Sequence, residues 1–174
     1  GYALGINPEG KLEFWIGDGK KVDKVASEVI LIPKVWLFVA VTYNSTSGET
    51  TIVQESVQNS WNSLIGPVTP YNHNSVVKEK LRIKPAYDDI DFLLAGSNEE
   101  NKERGKFVSM LFNGKIDRCG VINRELTRKE LDGVKLGHAP NNSLAYWDTT
   151  QGYTDRGIGQ ELVDVGPNKL NGKG

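Results

Sequence analysis

Few residues in this 174-residue chain are of types that run reactions, and their spacing is sparse. His73 and His138 are the two histidines, and neither has a neighbour at metal-ligand spacing. Both read as loop histidines, so no metal-ligand residue is assigned. Cys119 is the single cysteine and lies in a strand-like run. A nucleophilic thiol needs a histidine base and a lowered pKa. Nothing local offers either, and a free cysteine of this kind behaves as a small buried hydrophobe. Asp88, Asp89 and Asp91 form an acidic cluster whose oxygens suit calcium. Their spacing matches no EF-hand loop, and a solvated turn accounts for them. Gly17-Asp18-Gly19-Lys20 superficially resembles a phosphate loop but lacks the following Ser or Thr and a helix. What remains is the loop holding Trp61, Tyr71, Asn72 and His73. Aromatic faces cover apolar C–H groups and amides pair with hydroxyls, which is the chemistry of a sugar or peptide site. The structural alternative is that Trp61 pins a long loop onto the body of the domain. These four are the candidate binding residues, and no catalytic residue is assigned.

The elements that must position them are strands. Glycine is abundant, at 19 residues, and short β-branched and aromatic runs alternate with Gly, Asn, Asp and Pro clusters. Residues 2–6 and 11–17 form a hairpin around Asn7-Pro8-Glu9-Gly10, with Leu12, Phe14 and Ile16 on one face. Val29-Ile30-Leu31-Ile32 is a strand stopped by Pro33. Residues 36–43 carry no charge, which predicts an interior strand with Trp36 and Phe38 plugging the core. Residues 49–55 return after a polar turn at Gly48. Residues 56–86 are irregular, and long loops of this kind often carry function. Residues 90–96 read as a buried strand, 99–104 as a charged turn, and 107–112 and 115–122 as two more strands. Thr127 and Glu130 make a capping box that starts the single helix, with Leu126 and Leu131 as its apolar edge. Residues 145–148 read as a late strand.

The totals set limits. Lys plus Arg is 21 and Asp plus Glu is 22, so no charge excess points to nucleic acid or an anionic membrane. No apolar run approaches the ~20 residues that span a bilayer. A lone cysteine favours a reducing compartment, and the cytoplasm is the expected location. Gly1-Tyr2-Ala3-Leu4 begins directly on a strand pattern without Met and reads as a processed or excised fragment.

The order of these motifs resembles a concanavalin A-like, laminin-G-like jelly roll. The central match is residues 36–43, Gly48 and Phe92-Leu93-Leu94-Ala95-Gly96. Phe112-Asn113-Gly114-Lys115-Ile116-Asp117-Arg118 running into Arg124-Glu125-Leu126-Thr127 and Glu130-Leu131 is similar to that family's closing signature. A narrower resemblance joins Leu144-Ala145-Tyr146-Trp147-Asp148 and Val163-Asp164-Val165-Gly166-Pro167-Asn168-Lys169-Leu170-Asn171-Gly172 to the large subunit of bacterial N,N-dimethylformamidases. The chain departs from that stretch at Thr149, where an aromatic is usual, and at Asn171, where His is usual. The resemblance implies an all-β, two-sheet antiparallel sandwich over residues 1–143, with a late strand and loop-rich tail over 144–174. It also implies a neighbouring amidohydrolase domain carrying a mononuclear iron, none of whose ligands can be matched here. Many jelly rolls bind calcium, the one cofactor considered. Glycosidases of this fold carry an E-x-D-x-x-E strand, which the chain lacks, so Glu13 is not read as a catalytic acid.

Three functions follow as expectations. The first is a non-catalytic interaction or scaffold domain of a larger amide hydrolase, with other domains or subunits as partners. The second is a carbohydrate-binding, lectin-like module. The third, an enzyme in its own right, lacks a nucleophile–base pair. Jelly rolls of this type begin with strands that are absent before Tyr2, so residues 144–148 or a neighbouring chain are expected to close the sandwich, with Trp147 as plug.

Overall fold

The computed structural model describes residues 1–57, 60–61, 69–70, 73–87, 90–151, 153–154, 157–158 and 161–173. The chain divides into two compact units: Gly1–Asp88 with Glu125–Lys135, and Asp89–Arg124 with Leu136–Gly174.

The first unit is a two-sheet antiparallel sandwich. Strands β1 (Tyr2–Ile6), β2 (Lys11–Gly17) and β3 (Val22–Ile30) form one sheet in the order β1-β2-β3. Strands β4 (Leu37–Tyr43), β5 (Glu49–Ser56) and, after the two-residue pair β6 (Ser60–Trp61) and β7 (Thr69–Pro70), β8 (Ser75–Lys80) form the other in the order β4-β5-β8. Alternation along β2 sends Phe14 and Ile16 inward, where they meet Val25 of β3 and Ile52 of β5, with Leu81 beside them. Val41, Tyr43, Val77 and Ile83 pack around this cluster. Asp23 ties β3 to the segment after β8, its carboxylate accepting from the Arg82 and Ile83 N–H groups at 2.7 and 3.1 Å.

The β4–β5 turn shows why Gly48 is a glycine. Its φ is +78°, and a Cβ there would collide with the Leu81 carbonyl oxygen. Asn44 supports the turn by accepting from Thr46 and Ser47 N–H groups at 3.0 and 3.1 Å.

Helix α1 (Arg128–Lys135) starts where the capping box predicts. Thr127 N–H donates to the Glu130 carboxylate at 2.8 Å, and Glu130 N–H donates back to Thr127 Oγ1 at 3.3 Å. Leu126 and Leu131 are buried. Glu55 faces the helix from the C-terminal end of β5. It pairs with Arg128 and receives a hydrogen bond from Lys135 Nζ at 3.2 Å, while Arg128 also bonds Asp132.

The second unit is built of two-stranded pairs. Strands β9 (Ser97–Asn101) and β10 (Gly105–Ser109) form a hairpin, and β11 (Cys119–Ile122) pairs antiparallel with β12 (Ser143–Trp147). Two further pairs follow, β13 (Tyr153–Thr154) with β14 (Gly157–Ile158), and β15 (Glu161–Leu162) with β16 (Gly172–Lys173).

Several expectations are corrected. Strand β4 lies at the end of its sheet, bonded among the described residues to β5 alone, and Trp36 is 51% exposed. Its lack of charge tracks the half-burial of its side chains on both faces of the sheet, not strands on both sides. Residues 90–96 are not a strand, and Ile90, Phe92 and Leu94 are exposed. Ala95 takes a left-handed φ of 63°, which ends any extended run. The predicted charged turn is mostly the β9–β10 hairpin, with Lys106 opposite Glu100. Strand β3 begins at Val22, seven residues before the predicted start, its charged Lys24 and Glu28 exposed while Val25 and Ser27 are buried. Strand β12 pairs with β11 rather than with the opening hairpin, so among the described residues it does not close the sandwich of the first unit.

Candidate functional site

The four candidate binding residues are only partly placed. Trp61 is in β6, its backbone opposite Thr69. Its side chain, and Tyr71 and Asn72 altogether, lie outside the described residues. His73 is half-buried, and its carbonyl accepts from Gln54 Nε2 at 3.2 Å. Gln54 is fully buried on the inward face of β5 and also donates to the Ile30 carbonyl at 3.3 Å. It fastens the end of this loop, just before β8, to the end of β3. Sequence reasoning missed Gln54. The signal was a polar residue in phase with inward-facing Ile52.

The remaining chemistry-bearing groups lie apart from that loop, and His138 is exposed. Asp88 and Asp89 lie outside the described residues, and Asp91 is exposed. Glu13 is held by Lys24 Nζ at 3.6 Å and by Asn7 Nδ2 at 3.3 Å. Burial, with help from the Asp117 charge, pushes the Cys119 thiol up to about 11. It is therefore protonated at neutral pH, the opposite of an activated nucleophile. Among the described residues no three His, Cys, Asp or Glu side chains meet as a metal site.

Among the described residues, a dense polar cluster lies at the corner of the second unit where residues 143–148 meet 161–172. Asp164 is fully buried and bridges to Trp147. Its Oδ1 accepts from the Tyr146 and Gly166 N–H groups at 2.8 and 2.7 Å, and its Oδ2 from the Leu170 N–H at 2.7 Å. Burial alone would raise this carboxyl, but the three backbone donors and Lys169 outweigh it and hold it below the usual range. Asn171 accepts from Asp164 N–H at 2.9 Å and donates to Glu161 at 2.8 Å. Asn168 Nδ2 donates to the Leu144 carbonyl at 2.8 Å. Gly166 is required by crowding, because a Cβ there would lie 2.9 Å from both Asp164 Oδ1 and Ser143 Oγ. Trp147 is 8% exposed, stacks on Phe92 with ring centroids 5.6 Å apart, and donates from Nε1 to the Leu170 carbonyl at 2.7 Å.

This corner is the stretch on which the narrower resemblance rests, and comparison with known proteins bears on it directly. No family model matches the chain. The chain is similar to N,N-dimethylformamidase. It is 30% identical over 178 residues to the beta subunit of that enzyme from Paracoccus aminophilus, covering 99% of this chain and 23% of the relative. It is 28% identical to the beta subunit from an Alcaligenes species, with the same coverage. The chain thus spans about a quarter of the length of the curated relatives it matches. The subunit these names give is beta, where the resemblance in the sequence spoke of the large subunit. Within this chain the hydrogen bonds to the Asp164 carboxylate come from main-chain N–H groups, and Asn168 and Asn171 also bond backbone groups of the same corner. Ser143 Oγ and Tyr146 OH lie buried in this corner without hydrogen-bond partners.

Proposed function

We propose that this chain is a non-catalytic interaction and scaffold module of a longer protein built like the beta subunit of N,N-dimethylformamidase. Its sandwich is read as the concanavalin A-like, laminin-G-like jelly-roll type. The observation that carries the proposal is the pairing of an alignment along 99% of the chain with a site whose polar groups hold backbone. Amide hydrolysis needs an activated nucleophile and a group that polarises the carbonyl. Cys119 is held protonated, and the Asp164 carboxylate accepts three backbone N–H bonds. In this reading the reaction belongs to other parts of the longer protein, and the module meets domains or subunits of that assembly. The loop with Trp61, Tyr71, Asn72 and His73 contributes contacts to those partners.

The test is hydrolysis of N,N-dimethylformamide by the purified chain, followed as dimethylamine release with and without added iron(II). No turnover above buffer is expected. Turnover that Cys119→Ser or Asp164→Asn abolishes while the fold persists would overturn the proposal.

A further inference from the structure

In the second unit a cleft of about 490 Å3 opens between the turn that leads into β12 and the segment that follows Asp164. That volume falls within the range of about 300–1,000 Å3 common for small-molecule sites. Both walls are fixed by the chain's own bonds. Ser143 N–H donates to the Pro140 carbonyl at 3.3 Å and closes a turn with Asn141 and Asn142 at its tip. On the other wall Gly166 N–H donates to Asp164 Oδ1 at 2.7 Å, and Val165 N–H donates to the Tyr146 carbonyl at 2.9 Å. Walls held in this way need little ordering when a ligand arrives, which lowers the cost of binding.

The polar groups that line this cleft differ from those beside it. Asn168 and Asn171 are tied to backbone groups. Among the described residues, the side-chain amides of Asn141 and Asn142 have no hydrogen-bond partner, and both residues are exposed. The Ser143 hydroxyl has none either, although Ser143 is only 2% exposed. It sits against Gly166 on the opposite wall, where a Cβ would come within 2.9 Å of it. A buried hydroxyl without a partner is costly, and native structures keep few of them. Ala139, Pro140, Val165 and Pro167 make the rest of the lining apolar. Among the described residues, no ionisable side chain and no aromatic ring lines the cleft.

We propose that this cleft is a binding site for a small uncharged amide. The lining selects that class. An ionic ligand would lose hydration here and gain no opposite charge. A sugar buries its C–H faces against aromatic rings, and the lining offers none. An alkyl-substituted amide matches each part of the lining. Its carbonyl accepts from the Ser143 hydroxyl and from an asparagine NH2 group, and its N–H donates to an asparagine carbonyl. Its alkyl groups pack on the Pro140 and Pro167 rings. Binding at this place is separate from the loop with Trp61, Tyr71, Asn72 and His73, and it gives the non-catalytic module a ligand of its own.

The test uses N-acetylalanine N′-methylamide, which carries two uncharged amide groups, titrated into the 15N-labelled 174-residue chain and followed by the backbone amide resonances. Saturable shifts at Asn141, Asn142, Ser143 and Gly166 are expected. Methyl glucoside and acetate are expected to leave these resonances in place. Ser143→Ala removes a hydroxyl that bonds nothing in the free chain, so its urea midpoint is expected to stay unchanged. Its Kd for the probe is expected to rise roughly five-fold, as for the loss of one hydrogen bond. Asn141→Ala, at the exposed tip of the turn, is expected to weaken binding to a similar degree, and it decides should Ser143→Ala unfold. No saturable shift at these four residues, equal shifts with the glucoside or with acetate, or an unchanged Kd in the folded variants would overturn the proposal.

Discussion

At the scale of single residues, several polar side chains among the described residues are fastened to backbone groups. Asp164, Asn168 and Asn171 each hold main-chain groups, and Gln54 does the same in the first unit. The aromatic Trp147 works with them. Its ring is buried against Phe92 and its indole N–H closes onto Leu170. Truncation leaves a cavity and an orphaned carbonyl together, so Trp147→Ala is expected to lower stability by ~3–5 kcal/mol. Urea denaturation measures this, and an unchanged midpoint would show that the ring contributes no packing. The burial of Trp147 was readable from its setting, since a large aromatic among polar loops seldom stays exposed. The partners were not readable. Nothing in Val163-Asp164-Val165 marks Asp164 as an acceptor for three N–H groups that come from residues 146, 166 and 170.

At the scale of elements, local rules were reliable where one short motif decides the outcome. The capping box placed helix α1 within a residue, and the alternation of Leu12, Phe14 and Ile16 gave the inward face of β2. Reading failed where an apolar run was taken to imply lateral partners, as in β4 and residues 90–96. Apolar content reports what covers a face, and it carries no record of which strand lies alongside. The clasp between β5 and α1 was invisible for a related reason, since Glu55, Arg128 and Lys135 meet only in the fold. It gives a pH prediction. The Arg128 bond, against the opposing effect of burial and with help from Lys135, holds the Glu55 carboxyl below its usual 4.5. A carboxyl depressed in the folded state contributes stability above its unfolded value, and loses it as pH falls through the folded one. Glu55→Gln is therefore expected to cost about 2 kcal/mol at pH 7, in the range of hydrogen bonds to charged groups. The difference from the parent protein is expected to shrink below the ordinary glutamate range. Denaturation midpoints at a series of pH values check this, and a difference that grows in acid would contradict it.

At the scale of the whole molecule, two compact units share one chain, the first interrupted by the segment that builds the second. Helix α1 belongs to the first unit although the chain on either side of it belongs to the second. The all-β class with one short helix was legible from glycine-punctuated β-branched runs, and the packing of two three-stranded sheets agrees with it. The division into units was not legible, because it depends on which distant segments return to which sheet. The central claim is that the polar corner of the second unit is architecture and that its carboxylate is not free for chemistry. The most direct measurement is equilibrium denaturation of Asp164→Ala beside the parent chain, read by tryptophan fluorescence. Three buried N–H donors lose their acceptor, at ~1–3 kcal/mol each, so a loss of at least about 3 kcal/mol is expected. A midpoint unchanged from that of the parent would mean that Asp164 does not hold this corner together, and the account would be contradicted.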